Sequence, residues 1–296
     1  MRMDNWQLKR ESVCAIIISY DGGNTIIETI NAIRDQVDYI IIIDNNSNTW
    51  TKEVLRLFSD DENIEIIYNS DNFGIAYALN QGVLFSYQRG FKWVLTMDQD
   101  SIAEENMVSE MLNCALICQD NVVSISPTIV CNDEKSSEFF MTMSPKYEER
   151  LTVITSGNLV KTKMYEMIGG YNENLFIDSV DFDFCLRLQK SGYKIARCTT
   201  ARLFHSLGRT EKMNILGINI SIIVHSPLRK YYIMRNHIYM LKRYFVSFPI
   251  FCIKQHIGVL FLIIKIILFE KAKMQSLKYI FIGLFHGLNN RYGIYR

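Results

Sequence analysis

The order of segments along this chain predicts an α/β fold, a largely parallel sheet with helices on both faces. Two observations carry that expectation. Continuous apolar runs such as Val13–Tyr20 (VCAIIISY) and Tyr39–Ile43 (YIIII) alternate with segments of helical period. Strands buried on both faces look like this when crossover helices join them. In addition, the run Lys92–Met97 breaks abruptly into Asp98-Gln99-Asp100. A short apolar strand that emerges into acidic residues marks the carboxyl edge of such a sheet, where ligands bind. Asp98 and Asp100 can together serve one hard cation and the diphosphate it holds. Mg2+ and Mn2+ take oxygen ligands and keep positions open for substrate phosphates. The competing reading makes Asp98 or Ser101 the N-cap of a following helix.

Each element has its own warrant. The first strand, Val13–Tyr20, ends at Asp21-Gly22-Gly23-Asn24, a turn that lets the backbone approach a ligand closely. Thr25–Val37 carries Ile26, Ile30, Ile33 and Val37 at helical spacing. Tyr39–Ile43 runs into Asp44-Asn45-Asn46-Ser47. A short helix over Thr51–Phe58, a strand over Ile64–Tyr68, a loop over Asn69–Gly74 and a helix over Ile75–Gln88 precede the strand before Asp98. Beyond it, Ala103–Cys118 reads as a helix covering the sheet and Val122–Ser126 as a strand stopped by Pro127. Asn132–Ser137 reads as a surface loop, and Thr152–Thr155 as a strand leading into Ser156-Gly157-Asn158. After a turn at Gly169–Glu173, a helix starts near Asp178 and Asp181 and ends before Gly192. Tyr193–Phe204 reads as a strand running into His205-Ser206-Leu207-Gly208.

Composition narrows the function classes. A formal net charge of +1 over 296 residues supplies no global field for nucleic acid. The 7 cysteines, an odd number without CxxC pairs, imply neither a zinc site nor a disulfide framework, and a reducing cytosol fits them. Met1–Glu11 is mixed and charged and lacks the apolar core of a signal peptide, so no export is expected. Residues 20–25 read YDGGNT, with no G-x-G-x-x-G, and no G-x-x-x-x-G-K-[ST] occurs. Dinucleotide and P-loop sites are therefore disfavoured. Asp44 stands where an acid follows the second strand of many nucleotide-binding sheets, but an Asx-turn at a strand end is an equal alternative.

Four segments, in this order and spacing, carry a resemblance: Ile17-Ile18-Ser19-Tyr20, Ile43-Asp44-Asn45-Asn46-Ser47, Asn72-Phe73-Gly74 through Gly82, and Asp98-Gln99-Asp100-Ser101. Together they resemble the nucleotide-sugar half of family 2 glycosyltransferases, with the GT-A fold. Leu95-Thr96-Met97-Asp98-Gln99-Asp100-Ser101 is most like the bacterial rhamnosyltransferase branch. The resemblance runs over about residues 12–290. It implies that Ser19, Tyr20, Asp44, Asn72, Gly74 and Asp98 bind the nucleotide sugar. Asp44 would take the base, Asp98 would lie near the ribose, and Asn72 and Gly74 would shape the loop beneath. It implies that Asp100 holds a divalent metal, Mg or Mn, on the diphosphate. His205 matches the family's late histidine, which completes the metal site or touches the diphosphate. Ser156 and Gly157 would lie near sugar or acceptor, an ordinary turn and cap being the alternative.

The segment Phe176–Leu188 (FIDSVDFDFCLRL) holds the chemistry the reaction needs. A carboxylate there would accept the proton of the acceptor hydroxyl as its oxygen attacks the anomeric carbon. In the family the base closes an acidic pair before the helix. Here that pair reads Val180-Asp181, so Asp181 is the expected base and Asp178 the fallback, with inversion implied by the family. Capping acids, with Asp183 and Arg187 as a surface i, i+4 pair, form the alternative.

The remainder changes character. Leu228–Tyr244 is basic and aromatic; Arg229 and Arg235 are candidate phosphate contacts, or the helix lies on an anionic membrane surface. Phe245–Phe269 is apolar but broken by Lys254-Gln255-His256 and Lys265. Its longest uncharged piece after His256, Ile257–Ile264, falls short of the roughly 20 residues that span a bilayer. One or two amphipathic helices in the membrane interface are expected, a buried homodimer helix being the alternative.

The organisation expected is a catalytic domain over 1–225, with a nucleotide-sugar half at about 12–127 and an acceptor half at about 128–225, then a helical membrane-associating region over 226–296. The implied activity is inverting, metal-dependent transfer of L-rhamnose from dTDP-rhamnose to a lipid-linked saccharide of a bacterial surface polysaccharide. The implied place is the inner face of the cell membrane. The same reaction with a donor such as a UDP-hexose is the first alternative, and a non-catalytic nucleotide-sugar-binding protein a weaker one. A sugar nucleotidyltransferase would carry a basic Gly-rich loop after the first strand, and Ser19–Thr25 has no Lys or Arg.

Overall fold

The computed structural model describes residues 12–130, 146–205, 210–215, 218–223 and 225–295, with backbone alone for 210–215 and 218–223. The Met1–Glu11 segment, the Asn132–Ser137 loop and Ser206–Gly208 lie outside the described residues. Two compact units emerge: residues 1–171 with 184–206, and residues 172–183 with 207–296. The segment 172–183, expected in the acceptor half, belongs to the second unit.

In the first unit, β1 (Val13–Ser19), β2 (Tyr39–Asp44), β3 (Ile64–Tyr68) and β4 (Trp93–Asp98) are all mutually parallel, in the order β3-β2-β1-β4. Helices α1 (Thr25–Ile33), α2 (Thr49–Arg56) and α3 (Ile75–Gln88) make the crossovers. Alternation sorts the layers. Ala15 and Ile17 pack with Ile26, Ile30, Ile33, Val54 and Leu55 in one core. Ile16 points to the other face, where α3 comes so close that a Cβ on Gly82 would stand 2.6 Å from Ile16 Cγ2. Helices therefore cover both faces.

Beyond β4 the sheet is mixed. It continues β8 (Asn158–Lys161), β6 (Val122–Val130), β9 (Lys194–His205) and β5 (Ser101–Ala103), with β7 (Tyr147–Arg150) paired to β9. Several expectations give way here. Ser101–Ala103 is a strand, and the following helix, α4 (Met107–Ile117), starts later than expected. Pro127 does not stop β6: the register shifts between Ser126 and Thr128, so the missing N–H falls where the ladder is already interrupted. Residues 152–155 are not strand; the strand is β8, starting after the Ser156-Gly157 turn. Helix α5 (Lys163–Ile168) follows.

Helix α6 (Val180–Lys190) runs from one unit's residues into the other's. The second unit adds a hairpin, β10 (Thr210–Ile215) with β11 (Ile218–Ile223), and helices α7 (Pro227–Tyr244), α8 (Pro249–Phe269) and α9 (Lys273–Leu288). Ser226 caps α7 by accepting the Arg229 N–H, and Pro227 sits in its first turn, where no N–H is missed. Gly283 and Gly287 let α9 approach α7 closely, since a Cβ at either would collide with α7 backbone. Helix α8 is one continuous helix of 21 residues with mean hydropathy 2.0 in its most apolar stretch. By length and composition it can cross a bilayer, although charges interrupt its apolar run. The six described cysteines are free thiols.

Candidate active site

Parallel register places the site. Ser19 pairs with Asp44 and Ile18 with Asp98, so the last residues of β1, β2 and β4 share one edge. Across the sheet, antiparallel pairing sets Ser101 of β5 against His205, the last residue of β9. Strand geometry thus brings together acids and a histidine more than 100 positions apart.

Asp98, Asp100 and His205 form an open cluster whose ligand atoms all lie within 4.8 Å of one another. His205 Nε2 is 4.0 Å from Asp98 Oδ2, and His205 Nδ1 is 3.9 Å from Asp100 Oδ1. Asp100 is nearly half exposed and His205 largely buried, so the cluster opens on its Asp100 side. Two carboxylates and one imidazole suit a hard-to-borderline divalent cation, with positions left for phosphate oxygens. A chain of hydroxyls braces it. The Asp98 N–H donates to Ser156 Oγ at 3.1 Å, and Ser156 Oγ donates to Ser101 Oγ at 2.7 Å. Ser101 Oγ lies 2.8 Å from His205 Nδ1. With Nδ1–H donating to Ser101, Nε2 presents its lone pair for a metal, the usual way a partner fixes a ligating imidazole.

The middle residue of the acidic motif, which sequence reasoning passed over, is a clamp. Gln99 Nε2 donates to the Tyr20 carbonyl at 3.0 Å, and Gln99 Oε1 accepts the Tyr20 N–H at 2.9 Å. Thr29 Oγ1 donates to the Gln99 carbonyl at 2.9 Å. The amide packs against Gly22 so closely that a Cβ there has no room. The loop after β1 and the acidic loop after β4 are therefore tied together. Nothing in the sequence flags this beyond the amide's ability to satisfy both a donor and an acceptor.

The remaining nucleotide-side residues cluster on the same edge. Asp44 is fully buried and its carboxylate accepts the N–H of Ser47, three residues on, at 3.2 Å. Ser19 is buried with an unpartnered hydroxyl, whereas Tyr20 is about half exposed. Asn72 and Gly74 are held by Asn45, which donates to Asn72 Oδ1 at 3.0 Å and to the Gly74 carbonyl at 3.2 Å. Gly74, at φ 90°, needs its missing side chain to turn the loop into α3. Ser156 is buried with its hydroxyl committed to Asp98 and Ser101, so it positions the metal cluster rather than presenting itself to an acceptor. Gly157, at φ 78°, donates to the Thr96 carbonyl at 2.7 Å.

The second acidic segment is braced differently. Phe176, Asp178 and Ser179 all have positive φ, a strained run ahead of α6. Asp178 Oδ1 pairs with exposed Arg229 at 3.1 Å, while its Oδ2 is buried and unpartnered. Asn236 Nδ2 donates to the carbonyls of Leu175, Ile177 and Asp178, which holds the run in place. Asp181, half-buried in the first turn of α6, accepts its neighbour Phe182's N–H at 2.8 Å. Asp183 is no surface acid: it is fully buried and accepts the hydroxyls of Tyr239 at 3.0 Å and Tyr244 at 2.7 Å. Burial first, and that carboxylate second, push the Tyr244 hydroxyl well above its ordinary pKa. Arg235, read as a phosphate contact, is instead fully buried, its guanidinium committed to the Asn174, Leu175 and Gly293 carbonyls and to Asn236. Arg229 remains at the surface.

Comparison with known proteins identifies the family and the fold. The model of glycosyl transferase family 2 matches residues 14–179. A dTDP-rhamnosyl transferase, RfbF of Shigella flexneri, is 28% identical over 249 residues, covering 78% of this chain and 80% of that protein. Among solved structures, the mannosyltransferase PcManGT of Pyrobaculum calidifontis, in complex with GDP-Man and Mn2+, has a TM-score of 0.58 at 14% identity, covering 95% of this chain and 76% of that one. S. aureus TarS 1–349 has a TM-score of 0.56 at 12% identity, covering 95% and 82%. The fold is that of the GT-A glycosyltransferases, and with its family match running from β1 to the strained turn before α6, the chain belongs to glycosyl transferase family 2.

Proposed function

We propose that this glycosyltransferase moves L-rhamnose from dTDP-L-rhamnose to a hydroxyl of a lipid-linked saccharide, with inversion, at the inner face of the cell membrane. The observation that carries the reading is the Asp98–Asp100–His205 cluster in a chain similar to a dTDP-rhamnosyl transferase over most of its length. The nucleotide diphosphate would lie along the edge formed by Ser19, Asp44, Asn72 and Asp98. Asp98, Asp100 and His205 would hold a divalent cation, which when bound neutralises the departing diphosphate. Asp181 accepts the proton of the acceptor hydroxyl while that oxygen bonds to the anomeric carbon. The bond from that carbon to the diphosphate oxygen breaks, and the electron pair leaves with the nucleotide. One oriented base supplies on the order of 10²–10⁴-fold. The exposed apolar residues of α8 and α9, together with Lys271, Lys273 and Lys278, support a membrane-surface location.

The test is donor binding and hydrolysis across a panel of nucleotide sugars, with Mn2+ or with EDTA. Metal-dependent selection of dTDP-rhamnose is expected. Metal-dependent selection of a UDP-hexose would replace the donor assignment and keep the site. Asp181→Asn is expected to keep donor binding and lose transfer by about 10²-fold or more. Unchanged transfer would remove Asp181 as the base.

A further inference from the structure

A cavity of about 630 Å3 opens at the other edge of the sheet. It lies by Trp93, the first residue of β4, whereas Asp98 is the last. Five strand residues, about 16 Å, separate it from the metal cluster. Its volume lies within the range of small-ligand sites, about 300–1,000 Å3. One wall is apolar, built from Leu112, Ala115 and Leu116 of α4.

Three lysines also line the cavity. Cross-strand register sets Lys161 against Trp93, and the Thr162 N–H donates to the Lys92 carbonyl at 2.9 Å. Lys92 just before β4, Lys161 at the end of β8 and Lys163 at the start of α5 thus all line the cavity. Lys161 Nζ stands 5.6 Å from the centre of the Trp93 ring. Among the described residues none of the three lysines forms an ion pair, and Asp120 is the single acid lining the cavity. An anion in the cavity would meet the charge of these lysines. An independent observation points the same way. Thr162 is 3% exposed, yet its hydroxyl has no hydrogen-bond partner and it lines this cavity. A buried hydroxyl left unpaired is costly, and a ligand oxygen would relieve it.

We infer that this cavity binds a small organic phosphate, its phosphate between Lys161, Lys163 and the Thr162 hydroxyl and its apolar body along Leu112, Ala115 and Leu116. The site is independent of the proposed donor and acceptor.

Calorimetric titration of the full chain tests it, with phenyl phosphate as the probe and phenol and inorganic phosphate as controls. Phenyl phosphate is expected to bind with a Kd of about 1 mM or tighter, inorganic phosphate more weakly, and phenol not measurably. The double variant Lys161→Met with Lys163→Met should weaken binding at least tenfold, and Thr162→Val should weaken it several-fold. Lys161→Arg with Lys163→Arg should retain it, which separates loss of charge from loss of fold. Asp100→Ala should leave phenyl phosphate binding unchanged. No binding, equal binding of phenol, or binding that ignores the lysine pair and vanishes in Asp100→Ala would each overturn the inference.

Discussion

Ser101 is the most consequential side chain that touches no substrate in this scheme. Its hydroxyl links buried Ser156 to His205 Nδ1, and by accepting the Nδ1–H it would leave the Nε2 lone pair on the Asp98 side. Partners of this kind are typically worth 10–100-fold in metal affinity. Ser101→Ala is therefore expected to weaken Mn2+ binding by about tenfold or more at unchanged melting temperature, measured by calorimetry and thermal unfolding. Unchanged Mn2+ affinity would mean His205 is not a ligand. His237 offers a second single-residue test. It is buried on α7 with Nε2 3.1 Å from His256 Nδ1. Burial first, and the neighbouring His256 second, push its pKa down to about 4. The unfolded chain, with a histidine pKa near 6.5, binds more protons in between. Stability should therefore be full above about pH 6.5 and fall as pH drops toward 4. Denaturant titrations at pH 7 and pH 5 should show a smaller loss for His237→Asn than for the parent chain. An equal loss would place the acid sensitivity elsewhere.

Among the elements, the parallel half was legible because its strands are buried on both faces and its crossovers are amphipathic. Ile64–Tyr68 and Ile75–Gln88 end where periodicity and the flanking Gly74 put them. The mixed half was not. β5 has three residues, β7 is the charged stretch YEER, and β8 begins with Asn158, so none carries a strand signal of its own. They are strands because β4, β6 and β9 offer them unpaired edges. Pairing of α7 with α9 was equally silent, resting on two glycines four residues apart. Gly283→Ala drives a Cβ into the Tyr231 carbonyl of α7 and is expected to cost about 1–3 kcal/mol. A lowered unfolding midpoint would show it, whereas an unchanged midpoint would mean the two helices are free to separate.

For the molecule as a whole, the proposed membrane contact rests on α8. Of its buried positions, Phe251, Cys252, Val259 and Ile266, the last three recur every seven residues, and the packed core of the second unit uses Val259 and Ile266. That leaves Ile250, Phe261 and Leu268 at 61–70% exposure. Phe261→Glu with Leu268→Glu should abolish co-sedimentation with anionic vesicles while leaving the far-UV spectrum intact. Retained co-sedimentation would remove this face as the membrane contact. Sequence alone specified the sheet edge with Asp44, Asp98 and Asp100, since an apolar strand must stop where polar residues begin. It also announced the apolar C-terminal helices. Tertiary structure decided the rest: the route through β5 and β9 by which His205, expected there from the resemblance, reaches the acids, that Gln99 clamps the loop after β1, and that Arg235 and Asp183 serve the interior. The physical reason is that hydrophobic burial is written locally, in residue type and period. The partner of a polar side chain depends on which strand ends and helix turns meet, and those partners lie up to about a hundred residues away in the chain.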